Sequence, residues 1–459
     1  MPRDDLIVVA NRLPVHQVER DGEFQWETSP GGLVSALQSV LVDRGVTWVG
    51  WTGSEGKPPE PFEHSGIHHH AIALTDGEIE NYYRNFSNRT IWPLYHDCVR
   101  TPEYHRHWWR PYRTVNERFA DAVAEVLPEG GTVWVHDYHL QLVPGMLRER
   151  RPDATISFFL HIPFPPMELF AQIPWRRAIV EGMLGADLLG FQTRDGAQNF
   201  SRLARRLTDA EGVEGVLIYR DRRVSVQGIP ISIDRGRFER LAADPVVRSE
   251  AQRLRKQMRG RRVFLGVDRL DYTKGIDIRL RALETLFERR PELAHETAFI
   301  QVAVPSRKYV PEYKDMRTRI EQVVGRINGE YSEPGTVPVH YLYRNLPLET
   351  LVSYYLAADV MVVTPFRDGM NLVAKEYVAC RREEDGVLVL SEFTGAASEL
   401  TDAVLVNPHD IDGLAGALEK AIDMEPGERG RRMGALRGVL RENDVFDWAK
   451  RCLMLLVNE

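Results

Sequence analysis

Two cations follow one apolar run directly, in the stretch GVDRLDYTKGID. Arg269 and Lys274 lie between a buried-strand pattern, residues 262–267, and the next helical pattern. A guanidinium binds phosphate oxygens in two-pronged fashion and an ammonium acts as a point charge, so the pair suits a diphosphate. The alternative is a solvated loop in which the lysine pairs with an aspartate, and these residues alone leave both interpretations open.

A second stretch, FRDGMNLVAKEYVAC at 366–380, turns from an apolar run into a helix. Asp368 and Gly369 form the turn, and the amides of Leu372 and Val373 fall in the first helical turn. Backbone donors there have no partner within the helix and sit at the positive end of its dipole, which favours phosphate. Glu376 lies on a side that otherwise reads as buried, where it could bind ribose hydroxyls or pair with an arginine.

Polar residues also fall at element ends in the first half of the chain. Gly31 and Gly32 precede an amphipathic helix, which is compatible with phosphate at the free amides or with a simple turn. Asp137 in VHDYHL and His161 in FLHIPFPP follow apolar strands. Each could bind a substrate, or could only cap a helix or bond local backbone.

Aromatic and basic residues add weaker signals. Tyr83 and Trp92, within NYYRNFSNRTIWPLYH, could stack on a sugar or belong to the core. Arg307, in VPSRKY, follows a strand and is a candidate anion ligand. The run His68–His70 predicts no metal site, because consecutive residues on a strand point to opposite faces.

The elements that must position these residues alternate between short β-branched runs and longer helical patterns. This alternation predicts an α/β fold whose parallel sheets are covered on both faces. The predicted strands are 6–10, 46–51, 68–74, 132–137, 155–161, 187–192, 262–267, 297–304, 337–343, 359–365, 386–391 and 403–407. We therefore predict two doubly wound, Rossmann-like lobes, 1–228 and 236–440, with the site in the cleft between them and the last helix, 446–459, packing on the first lobe.

Composition restricts the function classes. The 459 residues carry 59 basic and 66 acidic side chains, a net charge of −7, which argues against a general nucleic-acid binder. No apolar stretch reaches the roughly 20 residues that a membrane helix needs, and the N-terminus does not read as a signal peptide. The three cysteines are far apart and suit a reducing cytoplasm.

Long motifs spread over the chain resemble those of the trehalose-6-phosphate synthase family of retaining GT-B glycosyltransferases. The resemblance rests on NRLP, FSNRTIWPLYH, HDYHLQLVP, FFLHIPFPP, DRLDYTKG, GRINGEY, RDGMNLVAKEYVA and EFTGAASEL, and it runs from residue 11 to the final helix. It implies transfer of glucose from a nucleotide-glucose, UDP- or GDP-glucose, to glucose 6-phosphate with retention of configuration.

The resemblance also implies an acceptor site. Arg12, Tyr83, Trp92 and Arg307 would hold glucose 6-phosphate, with the two arginines on its phosphate. Asp137 would bind acceptor hydroxyls near the attacking oxygen.

The donor site implied by the resemblance is larger. Gly32, with Gly31 beside it, would give an amide to the donor diphosphate, which Arg269 and Lys274 would neutralise. His161 and Asp368 would bind the donor glucose. The backbone of Gly369, Met370 and Asn371 would add to that contact, Leu372 and Val373 would offer amides to the phosphates, and Glu376 would bind the ribose.

In this family the leaving phosphate oxygen would take the acceptor's proton, without a covalent protein intermediate. Because two cations supply the charge, we expect neither a metal nor a cofactor. The small-molecule partners would be the two substrates, and we expect a homo-oligomer, dimer or tetramer. A pseudo-glycosyltransferase that joins cyclitols and an inactive sugar-phosphate sensor are the alternatives, and the donor base stays open.

Overall fold

The computed structural model describes residues 6–20, 23–29, 32–41, 45–306 and 311–454. The chain divides into two compact units. The first contains residues 1–231 and 445–459, and the second contains residues 232–444. The first unit is built around a mostly parallel sheet, and the second around a parallel one.

Among the described residues, the first unit contains twelve strands. They are β1 Leu6–Arg12, β2 Val15–Arg20, β3 Glu23–Thr28, β4 Thr47–Trp51, β5 Phe62–His64, β6 Ile67–Ile72, β7 Thr132–His136, β8 Thr155–Leu160, β9 Leu188–Phe191, β10 Glu211–Val213, β11 Val216–Tyr219 and β12 Arg222–Gly228.

Its helices lie mostly between those strands. They are α1 Gly32–Leu41, α2 Asp76–Glu78, α3 Trp92–Tyr95, α4 Arg106–Val126, α5 Val143–Arg150, α6 Met167–Phe170, α7 Arg176–Met183 and α8 Arg194–Leu207. A π-helix, Ile79–Ile91, joins α2 to α3, and a 3-10 turn, Tyr138–Leu140, follows β7.

The large sheet of the first unit has the order β10-β11-β12-β9-β8-β7-β1-β4-β6-β5. The run from β12 to β6 is parallel, because every neighbouring pair in it is parallel. The strand order reverses between β1 and β7. In open α/β sheets ligands bind outside the carboxyl ends of the strands at such a switch point.

The strands that the structure describes in the second unit are β13 Arg262–Arg269, β14 Thr297–Val304, β15 Val339–Leu342, β16 Val360–Val363, β17 Val387–Ser391 and β18 Val404–Val406. Its helices are α9 Arg235–Ala243, α10 Pro245–Gln257, α11 Ile276–Arg289, α12 Leu293–Glu296, α13 Pro311–Tyr331, α14 Leu348–Ala357, α15 Leu372–Cys380, α16 Ile411–Asp423 and α17 Pro426–Glu442.

The sheet of the second unit has the order β15-β14-β13-β16-β17-β18, and all its pairs are parallel. Its strands are apolar on both faces, as a sheet covered by helices on both sides requires. Phe264, Phe299, Val362 and Val389 belong to one core cluster with residues of α11 and α16. The order reverses between β13 and β16, which gives this unit the same kind of switch point.

The last helix, α18 Val445–Met454, belongs to the first unit. Trp448 on this helix is fully buried, and its ring lies 5.0 Å from the ring of Trp134 on β7. The end of the chain therefore completes the core of the unit in which the chain began.

The predicted strands are all present, but the sequence interpretation missed local departures from a parallel α/β pattern. The hairpin β2–β3 stands outside the large sheet, and β10, β11 and β5 extend that sheet with antiparallel pairs. These strands are three to six residues long, and only β11, with the sequence VLIY, carries an unbroken apolar run. None of the helices in the described part of the chain combines the length and the apolarity that a bilayer crossing needs.

Candidate active site

Arg12 ends β1 at the switch point of the first unit. Its guanidinium carbon lies 4.1 Å from the ring centroid of Trp51 and 5.3 Å from that of Tyr83, a cation–π arrangement. The arginine is exposed, whereas Trp51 is buried. Gly53 makes room for this side chain, since a Cβ there would lie 1.8 Å from Arg12 Nη1. The Arg12 guanidinium thus packs against a buried ring while its charge stays accessible.

Tyr83 and Trp92 are linked to the same region through ring contacts. Tyr83 stacks on His139, with centroids 5.7 Å apart and planes 19° apart. Trp92, which is buried, lies 5.6 Å from Tyr138, and Tyr138 lies 3.9 Å from His139. The rings therefore form a continuous path into the turn that follows β7.

Asp137 occupies the first position after β7, next to β1. Its backbone has φ 75° and ψ 169°, a region that residues other than glycine rarely adopt and that costs about 1–3 kcal/mol. Its side chain makes no capping bond to the following turn, and its Oδ1 accepts a hydrogen bond of 3.3 Å from the backbone amide of His161. A simple capping role therefore does not account for Asp137.

His161 follows β8 and is half-buried. Its Nε2 lies 3.0 Å from Nδ1 of His136, the last residue of β7. Burial lowers the pKa of His161 to about 3. Burial, and then the neighbouring His161, lower the pKa of His136 well below its ordinary value. Both imidazoles are therefore neutral at pH 7.

Lys274 and Asp368 meet at the switch point of the second unit. Lys274 lies in a short turn after β13 and Asp368 in the loop after β16, and Lys274 Nζ is 2.5 Å from Asp368 Oδ2. Lys274 is only 8% exposed, so it is not in a solvated loop, but it does pair with an aspartate, as the alternative interpretation predicted. Arg269, the last residue of β13, is exposed at the same edge.

The loop that carries Asp368 is fixed by a second segment, Phe393–Ala396. The amide of Asp368 donates to the carbonyl of Phe393, the amide of Gly395 donates to that of Asp368, and the amide of Ala396 donates to that of Met370. Because three backbone bonds tie the two segments, the positions of Gly369 and Met370 do not depend on a flexible loop.

Asn371 connects this loop to α15. Its φ is 85°, its Oδ1 accepts from the amide of Ala374 at 3.1 Å, and its Nδ2 donates to Asp368 Oδ2 at 3.1 Å. The cap satisfies Ala374 and leaves Leu372 and Val373 as first-turn amides with no intrahelical acceptor. The backbone donors that the sequence predicts for phosphate are thus next to a lysine and an aspartate.

Glu376, one turn into α15, is held by a tyrosine. The hydroxyl of Tyr355 on α14 donates to Glu376 Oε2 at 2.7 Å. Burial raises the pKa of Glu376, while the Tyr355 hydrogen bond and then the charge of Arg237 oppose that shift. The carboxylate is therefore oriented by a neutral donor.

A buried ion pair lies behind the second switch point. Arg279 on α11, fully buried, donates to Asp268 Oδ2 at 2.6 Å, to Gln301 Oε1 at 2.9 Å and to Thr364 Oγ1 at 3.0 Å. These three acceptors lie on or just after β13, β14 and β16. Gly266 leaves the necessary space, because a Cβ there would lie 2.2 Å from Arg279 Nη1.

The structure gives little or nothing on three of the predicted site residues. Gly31 and Arg307 fall outside the described residues. Gly32 is the first residue of α1. Within the described ranges, no group of three or more His, Cys, Asp or Glu side chains could hold a metal ion.

The segment 393–396 appears in the motif EFTGAASEL, but sequence reasoning gave it no role in the site. Sequence reasoning also missed Trp51, His136, Arg279 and Tyr355. Each lies inside a pattern that reads as ordinary core or helix. A single polar residue in an apolar run, such as His136 in TVWVH or Gln301 in TAFIQVAV, was the one available signal.

Two parallel α/β sheets, each with polar residues at its switch point, define a class of protein that binds its ligands at strand ends. The model of glycosyltransferase family 20 matches residues 4–458. The chain is 52% identical to a trehalose-6-phosphate synthase of Mycolicibacterium smegmatis, over 98% of this chain and 92% of that protein. It is 49% identical to one of Mycobacterium marinum, over 99% of this chain and 94% of that protein.

Solved structures also match nearly the whole chain. A UDP-forming α,α-trehalose-phosphate synthase from Burkholderia xenovorans, in complex with glucose-6-phosphate, has a TM-score of 0.91 at 35% identity and covers 98% of this chain and 99% of its own. An E. coli protein bound with UDP-2-fluoro glucose has a TM-score of 0.90 at 34% identity, covering 98% of both chains. The chain belongs to glycosyltransferase family 20, and the predicted two-sheet α/β fold is confirmed.

Proposed function

We propose that this chain catalyses the trehalose-6-phosphate synthase reaction, transferring glucose from a nucleotide-glucose to glucose 6-phosphate with retention of configuration. The observation that carries the proposal is the 52% identity, over 98% of the chain, to an enzyme of that name. UDP-glucose is the proposed donor, because a matched structure is described as UDP-forming and another holds a UDP-sugar analogue.

The first unit is the proposed acceptor site. Arg12, held over Trp51, supplies a cation for the phosphate of glucose 6-phosphate, and Arg307 is proposed to supply a second. Tyr83 and Trp92 give ring surface beside it. Asp137 directs a carboxylate at acceptor hydroxyls, and its strained backbone fits a position kept for function.

The second unit carries most of the proposed donor contacts. Arg269 and Lys274 face the diphosphate, with the amides of Leu372 and Val373 and, from α1, that of Gly32. Asp368 and the backbone of Gly369, Met370 and Asn371 hold the donor glucose, which His161 also contacts, and Glu376 accepts from the ribose. Lys274 would exchange its bond to Asp368 for the diphosphate when the donor enters.

The chemistry then needs charge stabilisation and alignment rather than a protein nucleophile. As the bond from C1 to the diphosphate breaks, negative charge grows on the leaving oxygen and Lys274 and Arg269 stabilise it. The acceptor hydroxyl attacks from the same face, and its proton passes to the leaving oxygen. Asp137 orients the acceptor for that attack.

The proposal is tested by nucleoside diphosphate release from UDP-, GDP- and ADP-glucose, each with and without glucose 6-phosphate. We expect release that requires glucose 6-phosphate and is fastest with UDP-glucose, with trehalose 6-phosphate as the sugar product. A folded protein that binds nucleotide and releases no diphosphate with any donor would contradict it. Release unaffected by a chelator is expected, because the proposed charge carriers are side chains.

We further propose a cytoplasmic homo-oligomer, a dimer or tetramer. All three cysteines are free thiols, which suits a reducing compartment. The assembly is measured by light scattering after size-exclusion chromatography, and a single species at the mass of one chain, 52.6 kDa, would contradict it.

A further inference from the structure

One face of β7 and β8 carries a cluster of rings next to the proposed site. His136 pairs with Phe159 across the two strands, and His161 follows two residues later on the same face. Trp448 of α18 covers this face, with its ring 5.1 Å from Phe159 and 6.1 Å from His161. The last helix of the chain thus packs against Phe159 and His161 on this face.

Two neutral imidazoles that share a hydrogen bond must divide the roles of donor and acceptor. His136 Nδ1 and His161 Nε2 lie 3.0 Å apart, so the shared proton belongs to one of these atoms. Each neutral ring carries one N–H, and the position of that proton fixes what its other nitrogen can do.

The surroundings of His136 decide the direction. His136 is fully buried, and its Nε2 has no hydrogen-bond partner among the described residues. A proton on Nε2 would leave a buried N–H without an acceptor, which proteins avoid more strictly than an unused acceptor. The proton of His136 is therefore on Nδ1, and this N–H donates to Nε2 of His161.

The consequence falls on His161. Since its Nε2 accepts, its own proton must be on Nδ1, and the structure gives Nδ1 no hydrogen bond to another described residue. We propose that His136 is a positioning residue that fixes His161 as the Nδ1–H tautomer, so that His161 donates a hydrogen bond to a hydroxyl of the donor sugar. This inference rests on the proposed function for the identity of the sugar, but not for the tautomer.

Kinetics of three substitutions test the positioning role. Asn places its amide nitrogen where His136 has Nδ1, Gln places it where His136 has Nε2, and Leu removes the polar group. We expect His136→Leu and His136→Gln to lower kcat about tenfold, with little change in the KM for glucose 6-phosphate. His136→Asn should recover most of that loss. Equal activity of the Asn and Gln variants would overturn the positioning role.

The tautomer is measured directly in the wild-type chain, without turnover, by long-range ¹H–¹⁵N correlation after ¹⁵N-histidine labelling. The signals of His161 are identified by their loss in His161→Gln. We expect a protonated Nδ1, and a shift of the proton to Nε2 in His136→Leu. A wild-type His161 protonated on Nε2 would overturn the inference. Failure of the transferase assay alone would instead contradict the proposed function.

Discussion

The two units use one strand topology but stabilise their switch points by different chemistry. All nine tryptophans lie in the first unit and none in the second: Trp26, Trp48, Trp51, Trp92, Trp108, Trp109, Trp134, Trp175 and Trp448. In the first unit aromatic rings contact the candidate residues. Trp51 packs against Arg12, and the imidazole of His136 is hydrogen-bonded to that of His161. In the second unit buried or half-buried ion pairs do so, between Lys274 and Asp368 and between Arg279 and Asp268.

The difference follows from the proposed ligands. The proposed acceptor presents sugar hydroxyls and ring faces, which neutral donors and rings recognise, together with one phosphate, for which the exposed Arg12 is proposed. A diphosphate carries charge that increases during the reaction, so its site must contain cations. Those cations need carboxylate partners before the ligand arrives, because a buried charge without a partner is costly. The comparison predicts that substitutions of aromatic or imidazole rings in the first unit and substitutions of charged side chains in the second unit affect different properties, among stability, turnover, substrate binding and pH dependence.

The largest effect is expected from Arg279→Leu, which breaks the buried pair in the second unit. The change leaves Asp268 as an uncompensated buried charge and should lower the free energy of unfolding by about 3–5 kcal/mol. Urea unfolding followed by circular dichroism measures this, and tryptophan fluorescence reports the first unit separately. The variant Asp268→Asn with Arg279→Leu should recover part of the loss. If Arg279→Leu alone is as stable as the wild type, the buried ion pair does not stabilise the second unit.

Lys274→Ala should affect turnover more than donor binding. Its ammonium is proposed to stabilise charge that develops in the transition state, so kcat should fall about 10²–10³-fold with a smaller change in the KM for UDP-glucose. Steady-state kinetics measure the two parameters, and Lys256→Ala, at an exposed lysine of the same unit, is the control. Unchanged turnover would remove Lys274 from the mechanism.

Arg12→Ala should act on the other substrate. Loss of a charge-assisted contact to phosphate should raise the KM for glucose 6-phosphate about 10- to 100-fold and leave the KM for UDP-glucose within about twofold. The control is Arg113→Ala, at an exposed arginine of α4. A rise in the KM for UDP-glucose instead would place Arg12 at the donor.

Acid should destabilise the first unit in particular. Burial lowers the pKa of His69 to about 4 and that of His161 to about 3, so the unfolded chain binds more protons below the ordinary histidine pKa of about 6.5. Stability therefore falls as the pH drops below that value. The fluorescence-detected urea midpoint should decrease from pH 7.5 to pH 5. His69→Phe should reduce the pH dependence, and His107→Phe, at an exposed site, should not.

Tyr355→Phe should give the smallest effect, and it should depend on pH. The Tyr355 hydrogen bond opposes the upward shift of the Glu376 pKa, so its loss raises that pKa further and more of the carboxyl is neutral in mild acid. UDP binding should weaken about threefold at pH 7.5 and more at pH 5. Calorimetric titration measures this against Tyr354→Phe. If UDP binding by the two variants depends on pH in the same way, Glu376 does not bind the ribose.

Local sequence determined the parallel strands of the two large sheets, but not the short antiparallel strands beside them. Apolar β-branched runs predict the strands because a strand covered on both faces must be apolar along its length. Polar residues after these runs, such as Asp137, His161, Arg269 and Lys274, predict where a site lies, since parallel strands end at one edge. Long motifs such as RDGMNLVAKEYVA predicted the family.

Only the tertiary structure decided which side chains interact with the candidate site residues. Lys274 meets Asp368 across 94 positions of the chain, and Tyr355 reaches Glu376 from another helix. Trp448 returns from the last helix to cover His161 in the first unit. A residue type shows what a side chain can donate, accept or neutralise. Which neighbour it finds depends on strand order and burial, and these are set by the packing of the whole unit rather than by adjacent residues.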